Sequence, residues 1–258
     1  MPVKHVISDM DGVIYRGKSL IPGAKEFISG LISSNTKFLF LTNNSEQTPL
    51  DLARKLERLG VKGIQESNFI TSAMATATFL HNQRPAGTVF VVGGGGLISE
   101  LYKAGFSVSE HKPDYVVVGK TASFNFEMLK KAISLIMDGA KFIGTNPDVI
   151  DPMENGFEPA CGSLLAAIEI ASGKKPYIVG KPNSLMMTIA LNQLGVVANE
   201  TVMIGDRMDT DIVAGMEAGM KTCLVLSGVS TKDTIDEFPY KPDYICENVG
   251  EIDLSRMD

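Results

Sequence analysis

The sequence predicts an α/β fold, in which a doubly wound parallel sheet carries a second, smaller α/β domain as an insertion. Three observations predict it. Short runs rich in β-branched and aromatic residues alternate with amphipathic stretches, as in parallel strands joined by helices. The strand runs are apolar throughout, which is typical of a sheet covered on both faces. Several helical stretches end at a glycine, as at Gly60, Gly195 and Gly219.

The predicted strands follow one another along the whole chain. They are HVISD (5–9), KFLFLT (37–42), GTVFVVG (87–93), PDYVVVG (113–119), KFIGT (141–145), PYIVG (176–180), TVMIGD (201–206) and KTCLVLSG (221–228). Between them lie amphipathic stretches that predict helices, such as PLDLARKLERLG (49–60), ALNQLG (190–195) and TDIVAGMEAGM (210–220).

The middle of the chain has its own series of strands and helices. Residues 80–178 are flanked by HNQRPAG and SGKKP, which are polar and contain Pro or Gly. We therefore expect a core domain built from residues 1–79 and 179–258, with residues 80–178 as an inserted domain.

Composition excludes several classes of partner. The net charge of -6 argues against a general affinity for nucleic acid. No run approaches the roughly 20 apolar residues of a membrane helix, so we expect no membrane partner. Three cysteines without metal spacing indicate reduced thiols in a cytoplasmic protein. A homo-oligomer formed through the inserted domain stays open.

Reactive side chains follow four of the strands outside the insert. Ligands bind beyond the carboxyl ends of the strands in an open parallel sheet, so we expect these side chains at one edge of one sheet. Each group alone is ordinary turn or capping chemistry, whereas their joint placement points to a site. They are Asp9, Asp11 and Gly12; Thr42 and Asn43; Lys181; and Asp206, Asp209 and Asp211.

The chemistry of this set fits phosphoryl transfer. Asp9 and Asp206 offer the hard oxygen ligands that suit Mg²⁺, and a cation between them would relieve their repulsion. Thr42 and Lys181 offer donors for a phosphate. No serine, cysteine or histidine has a recognisable nucleophile setting, which leaves a carboxylate as the candidate nucleophile. The second aspartate, Asp11, can then act as general acid and base.

Four ordered motifs carry a family resemblance. DMDGV (9–13), LFLTNNS (39–45), VGKP (179–182) and IGDRMDTD (204–211) resemble the motifs of the haloacid dehalogenase (HAD) superfamily. TNPD (145–148), FEPACGSL (157–164) and the large insert resemble its NagD-like branch, the class IIA phosphatases with a C2-type cap. That branch is related to the 4-nitrophenylphosphatase, phosphoglycolate phosphatase and pyridoxal phosphatase groups. The resemblance implies a Rossmann-like core with an inserted cap.

The resemblance also implies a role for each matching residue. Asp9 would be the nucleophile and a metal ligand, and Asp11 the general acid/base with its backbone carbonyl on the metal. Asp206 would complete the metal site, and Asp211 would position Lys181 or a metal-bound water. The residues expected to bind the substrate are Gly12, Thr42, Asn43 and Lys181 at the phosphoryl group, with Asn146 and Asp148 on the cap as candidates for specificity. Turn chemistry explains the last two equally well, and Asp209 is interpreted as a capping residue.

The predicted function is a Mg²⁺-dependent phosphomonoesterase acting on a small phosphorylated metabolite. An acid two residues after the nucleophile favours phosphate esters over halides, because an alkoxide leaving group needs a proton. Nucleoside monophosphates and sugar phosphates are the substrates that the resemblance implies. A phosphotransferase or mutase of the same superfamily, or a non-catalytic regulator that binds a phosphate ligand, remains an alternative. The run Gly93–Gly96 matches a dinucleotide fingerprint only partly, which favours a tight turn over a nucleotide site.

Overall fold

A computed structural model describes residues 2–153 and 156–257, with backbone alone at residues 152 and 153. Its strands are β1 (His5–Ser8), β2 (Tyr15–Arg16), β3 (Ser19–Leu20), β4 (Phe38–Thr42), β5 (Phe69–Thr71), β6 (Thr88–Val92), β7 (Ser107–Val108), β8 (Tyr115–Val118), β9 (Lys141–Gly144), β10 (Ile150–Met153), β11 (Gly156–Pro159), β12 (Tyr177–Ile178), β13 (Thr201–Gly205), β14 (Lys221–Val225) and β15 (Tyr244–Cys246).

The helices alternate with these strands along the chain. They are α1 (Ala24–Ser33), α2 (Pro49–Arg58), α3 (Ser72–Gln83), α4 (Gly95–Lys103), α5 (Phe126–Met137), α6 (Cys161–Ser172), α7 (Ser184–Leu194), α8 (Val213–Glu217) and α9 (Lys232–Ile235). Short 3₁₀ turns span Glu66–Asn68, Ala198–Glu200, Val249–Glu251 and Leu254–Arg256, and a π-helical turn spans Met208–Ile212.

Six strands form the first sheet, in the order β15–β14–β13–β1–β4–β5. β1 pairs in parallel register with a strand on each side, and its last residue, Ser8, lies opposite Ile204 of β13 and Phe40 of β4. The strands therefore end side by side. The residues that follow them, beginning with Asp9, emerge at the same edge of the sheet.

Burial on both faces explains why these strands are mainly apolar. All five residues of β4 are buried. Val6, Phe40 and Ile204 share one cluster with the apolar residues of α1 and α2. On the other face, Gly215 of α8 lies so close to Met203 of β13 that an added Cβ would sit 2.7 Å from the methionine Cβ. Helices thus cover both faces, as predicted for a doubly wound sheet.

The second sheet has the order β12–β9–β8–β6–β7, and its strands are parallel. Its core joins Val92 and Val118 to Leu135 of α5 and Leu165 of α6. A separate antiparallel hairpin, β10–β11, places Asp151 opposite Glu158. The α/β character predicted for the insert is present here.

The glycine run before α4 has a packing explanation. The Gly96 N–H donates to the Glu46 carbonyl at 2.9 Å. A Cβ at Gly96 would lie 2.6 Å from that same oxygen, so glycine permits the close approach of the two backbones. This arrangement agrees with the tight turn that the sequence favours.

The described residues divide into two compact units. The first comprises those within 1–42, 49–70 and 181–258, and the second those within 43–48 and 71–180. The chain therefore passes between the units at four peptide bonds, including Thr42–Asn43 and Gly180–Lys181. The domain limits predicted from the sequence, at 80 and 178, stay a prediction.

One strand prediction was wrong in its sheet, and seven strands among the described residues were not predicted, of which β5 and β15 belong to the first sheet. Tyr177–Ile178 pairs with Ile143 and Gly144 of the second sheet, so Lys181 does not follow a strand of the first. β5 and β15 are three residues long, too short for a periodic signal. In the part of the chain that the structure describes, no helix combines the length and apolarity needed to cross a membrane.

Candidate active site

Three aspartates come together at the carboxyl edge of the first sheet. Asp9 follows β1 and Asp206 follows the neighbouring β13, while Asp211 comes from the π-helical turn after β13. All three are buried, and one carboxylate oxygen from each lies within 4.8 Å of the others. Three acidic groups at such distances repel one another, so cationic charge must compensate for them.

Lys181 supplies part of that charge. Its Nζ lies 2.6 Å from Asp9 Oδ1 and 2.6 Å from Asp211 Oδ1. It also donates to the Leu41 carbonyl at 3.0 Å. Burial acts to lower the pKa of Lys181, but the charges of Asp211 and Asp9 outweigh it and raise that pKa. The lysine is therefore a buried, permanent cation beside Asp9.

One ammonium does not balance the cluster. Burial raises the pKa of Asp9 well above its ordinary value, although Lys181 opposes the change. Burial also raises the pKa of Asp206 to about 7, with the charge of Asp211 acting in the same direction. Asp206 Oδ1 is buried and has no hydrogen-bond partner among the described residues. Surplus negative charge, hard oxygen donors and this unpartnered oxygen fit a divalent cation such as Mg²⁺.

The turn after β13 explains how Asp211 reaches the cluster. Asp211 Oδ2 accepts a hydrogen bond from the Arg207 N–H at 3.1 Å, which closes the turn. A Cβ at Gly205 would collide with the Asp211 side chain, so glycine leaves room for it. Asp209 lies inside the turn and binds the Arg207 guanidinium at 3.0 and 3.1 Å. The interpretation of Asp209 as a capping residue was therefore wrong.

Gly12 lies against the same cluster, where only glycine fits. Its φ of +81° is in the left-handed region, and a Cβ there would lie 2.5 Å from Asp206 Oδ2. Its N–H donates to the Tyr15 carbonyl at 2.8 Å, so it closes a local turn. Asp11 lies outside the carboxylate cluster and is exposed, with the Tyr15 hydroxyl 3.3 Å from its Oδ2.

Backbone groups after β14 complete the surroundings of Asp206. Val229 N–H donates to Asp206 Oδ2 at 2.7 Å, and the Ser230 N–H donates to the Asp206 carbonyl at 3.0 Å. A Cβ at Gly228 would collide with the Asp206 carboxylate. The Ser227 hydroxyl donates to the Gly12 carbonyl at 2.6 Å. This loop links the residues after β1, β13 and β14.

The remaining predicted residues lie at the end of β4 and in the second unit. Thr42 is buried as the last residue of β4. In the second unit, Asn43 Nδ2 donates to Asp148 Oδ2 at 3.0 Å. Asn146 Nδ2 donates to the Asn43 carbonyl at 2.7 Å. The structure thus joins Asn43, Asn146 and Asp148 through hydrogen bonds between themselves.

Comparisons with known proteins place this arrangement in a family. A family model described as haloacid dehalogenase-like hydrolase matches residues 6–107, and a second HAD-hydrolase-like model matches residues 178–252. The chain is 47% identical over 254 residues to the ribonucleotide monophosphatase NagD of Escherichia coli, covering 98% of this chain and 100% of NagD. The chain belongs to the haloacid dehalogenase-like hydrolases.

Other members of the HAD family agree with this membership. A dihydroxyacetone phosphatase of Corynebacterium glutamicum is 45% identical over 246 residues, which is 95% of this chain and 89% of that protein. The NagD structure superimposes with a TM-score of 0.91, covering 98% of this chain and 100% of that one. A p-nitrophenyl phosphatase structure from Archaeoglobus fulgidus gives 0.89 at 34% identity, with 97% and 98% covered. The predicted NagD-like branch is confirmed.

Within this HAD fold, the structure brings four of the predicted residues together in the first unit. Asp9, Asp206, Asp211 and Lys181 meet in one cluster. The loop from Ser227 to Ser230 was missed, because it acts mainly through backbone N–H groups that leave little trace in a sequence. Its position after a strand adjacent to β13 was the signal that could have found it.

Proposed function

We propose that this chain is a Mg²⁺-dependent phosphomonoesterase that hydrolyses small phosphate esters through an aspartyl-phosphate on Asp9. The observation that carries the proposal is the buried Asp9 carboxylate, held 2.6 Å from a lysine and beside two further carboxylates. The relatives named above are phosphatases, and this chain is a phosphatase of the same family, as predicted. The substrates for which these relatives are named support nucleoside monophosphates or sugar phosphates as the esters to test.

Asp9 and Asp206, with the backbone carbonyl of Asp11, would hold the metal. Bound Mg²⁺ supplies positive charge that stabilises the phosphoryl oxygens in the transition state. Two features of the protein support a cation at this cluster. Asp206 Oδ1 has no partner among the described residues, and the pKa values of Asp9 and Asp206 are raised.

The reaction proceeds in two displacements. A carboxylate oxygen of Asp9 attacks phosphorus, the ester P–O bond breaks, and Asp11 donates a proton to the leaving alkoxide. Asp11 then takes a proton from water, whose oxygen attacks the same phosphorus and releases inorganic phosphate with free Asp9. Lys181 and Thr42, with Asn43 and Gly12, bind the phosphoryl group, and Asp211 holds Lys181 in place. Asp11 is exposed beside the Tyr15 hydroxyl, which leaves its carboxylate accessible for proton transfer.

Release of inorganic phosphate tests this mechanism. The purified chain is incubated with p-nitrophenyl phosphate, a nucleoside monophosphate and a sugar phosphate, with Mg²⁺ or with a chelator. We expect Mg²⁺-dependent release that Asp9→Asn abolishes. Asp209→Asn is the matched control, because Asp209 is an exposed aspartate paired with Arg207, and it should keep full activity.

Two results would contradict the proposal. Release that Asp9→Asn leaves unchanged would exclude the aspartyl-phosphate. Loss of phosphate from the ester without its appearance in solution, but with a phosphorylated acceptor, would favour the phosphotransferase or mutase.

The remaining expectations are part of the same proposal. Residues 80–178 would be the C2-type cap, with Asp148 as its candidate for substrate contact. A homo-oligomer through that cap and a location in the cytoplasm are also proposed. The location is supported by Cys161, Cys223 and Cys246, which are free thiols.

A further inference from the structure

The chain passes between the two units at four peptide bonds, and two of these bonds involve a residue of the proposed site. Thr42 precedes Asn43 across one passage, and Lys181 follows Gly180 across another. Asn43 and Gly180 belong to the second unit, where Asn146 donates to the Asn43 carbonyl and lies beside Gly180. Asn43 and Gly180 are each bonded directly to a proposed phosphoryl-binding residue, Thr42 or Lys181. A residue that fixes the backbone of Asn43 and Gly180 therefore also limits the positions of Thr42 and Lys181.

Asn43, Asn146 and Asp148 are joined in a closed ring of three hydrogen bonds. Asn146 Nδ2 donates to the Asn43 carbonyl at 2.7 Å. The Asp148 N–H donates to Asn146 Oδ1 at 3.1 Å, and Asn43 Nδ2 donates to Asp148 Oδ2 at 3.0 Å. We call Asn43, Asn146 and Asp148 the asparagine clasp. The Ser72 hydroxyl adds a second bond to the Asn43 carbonyl, at 2.6 Å.

Gly180 is enclosed by the same residues. Its N–H donates to the Thr145 carbonyl at 2.8 Å. A Cβ at Gly180 would lie 2.7 Å from Asn43 Oδ1 and 3.0 Å from Asn146 Cβ, and it would collide with the Thr145 carbonyl. The clasp therefore leaves room for glycine at this position and fixes where the chain turns towards Lys181.

Both polar ends of the Asn146 amide are used inside the protein. Nδ2 contacts the Asn43 carbonyl and, at 3.4 Å, the Thr145 hydroxyl, while Oδ1 accepts from Asp148. The residue is 4% exposed. A contact between this amide and a substrate would have to break hydrogen bonds that are already made in a buried setting.

We propose that Asn146 is a positioning residue for the reaction. Through the clasp it fixes the backbone of Asn43 and Gly180, and thereby the neighbouring Thr42 and Lys181. The inference rests on the proposed function, since it concerns the residues that would bind the phosphoryl group. Because every substrate carries the same phosphoryl group, a disturbed clasp reduces turnover of all esters by a similar factor. A residue that contacted the leaving group would instead change the preference among esters.

Asn146→Asp tests the inference with little change in shape. The variant loses both amide donors and sets a carboxylate oxygen against the Asn43 carbonyl. Asn125→Asp is the matched control in the same unit, because Asn125 caps α5 through its oxygen, which aspartate retains. Gly180→Ala is the second variant, since it crowds the clasp from the other side and keeps the proposal testable if Asn146→Asp does not fold.

The readouts are kcat and KM for p-nitrophenyl phosphate, a nucleoside monophosphate and a sugar phosphate, together with inhibition by orthovanadate. We expect kcat/KM to fall by about 10- to 100-fold for all three esters alike, because small misplacements in an active site cost that much. Orthovanadate, which mimics the phosphoryl group alone, should bind more weakly. Circular dichroism confirms that each variant is folded, and Asn125→Asp should match the wild type.

Two outcomes would overturn the positioning role while leaving the proposed function intact. One is a loss confined to one ester, with unchanged inhibition by orthovanadate, which would indicate contact with the leaving group. The other is wild-type kinetics in folded Asn146→Asp and Gly180→Ala. A wild-type chain that releases no phosphate from any ester would overturn both the proposed function and this inference.

Discussion

Replacing Lys181 by methionine removes the ammonium that two buried carboxylates share. Asp9 Oδ1 and Asp211 Oδ1 each lie 2.6 Å from Lys181 Nζ, and the exposed fraction of the lysine side chain is 3%. Removing one partner of a buried ion pair costs about 3–5 kcal/mol, because the other charge stays buried. For a chain of this size, each kcal/mol lowers Tm by roughly 2–4 °C, so we expect a decrease of roughly 6–20 °C.

The stability lost in Lys181→Met should depend on pH in a defined direction. The pKa of Lys181 is raised in the folded protein, so its stabilisation is fully present below the unfolded value near 10.5 and is lost as pH rises through the folded value. Burial already raises the pKa of Asp9, and loss of the ammonium raises it further. The decrease in Tm of the variant should therefore be largest from neutral pH to pH 9, below the folded pKa of Lys181, and it should shrink as acid protonates Asp9.

Thermal unfolding from pH 5 to 9, in the presence of a chelator, measures the difference in Tm between Lys181→Met and the wild type. Lys221→Met is the matched control, because Lys221 is one-third exposed and lies 3.5 Å from Asp243, a pair worth at most about 1 kcal/mol. A Lys181→Met variant that unfolds within 1 °C of the wild type at pH 8 would refute the reasoning. So would a difference in Tm that grows as the pH falls.

Three further predictions concern the same edge of the sheet. The pKa of Asp206 is about 7, so a proton competes with Mg²⁺ for its carboxylate below that pH. The increase in Tm on adding Mg²⁺ should therefore be larger at pH 8 than at pH 6, and it should be absent in Asp206→Asn. An increase in Tm that does not depend on pH would contradict this prediction. Gly12→Ala should lower Tm and reduce phosphate release at least about 10-fold, since its Cβ would meet Asp206 Oδ2 at 2.5 Å; wild-type values would disprove the crowding. Asp11→Asn should impair alkyl esters more than aryl esters in kcat, because a good leaving group needs less protonation; equal losses would exclude Asp11 as the acid.

The sequence predicted the parts of the site that follow strands of one sheet. β1 and β13 are short runs centred on apolar residues, and a parallel register makes their ends adjacent. The sequence alone therefore predicted that Asp9 and Asp206 lie together. The same reasoning placed Thr42 at the end of its strand, and the structure shows that this strand, β4, pairs with β1.

Lys181 shows where that reasoning stops. The sequence predicted its strand as part of the first sheet, yet Tyr177–Ile178 pairs in the second sheet. A two-residue strand carries no periodicity that identifies its partner, so pairing depends on the folded neighbours. The lysine still reaches Asp9 because the chain turns at Gly180, and that turn depends on packing around Asn43 and Thr145.

Polar residues at a strand end can bind a ligand or hold the scaffold, and the sequence does not distinguish the two. The structure does so through the balance of donors and acceptors, because a buried polar atom must find a partner. Asp206 Oδ1 has none among the described residues, in a cluster with surplus negative charge, which points to an external cation. Asn146 has used both ends of its amide on neighbouring protein groups. The first atom is therefore a candidate for binding, and the second residue a candidate for positioning, although both follow the end of a strand in the sequence.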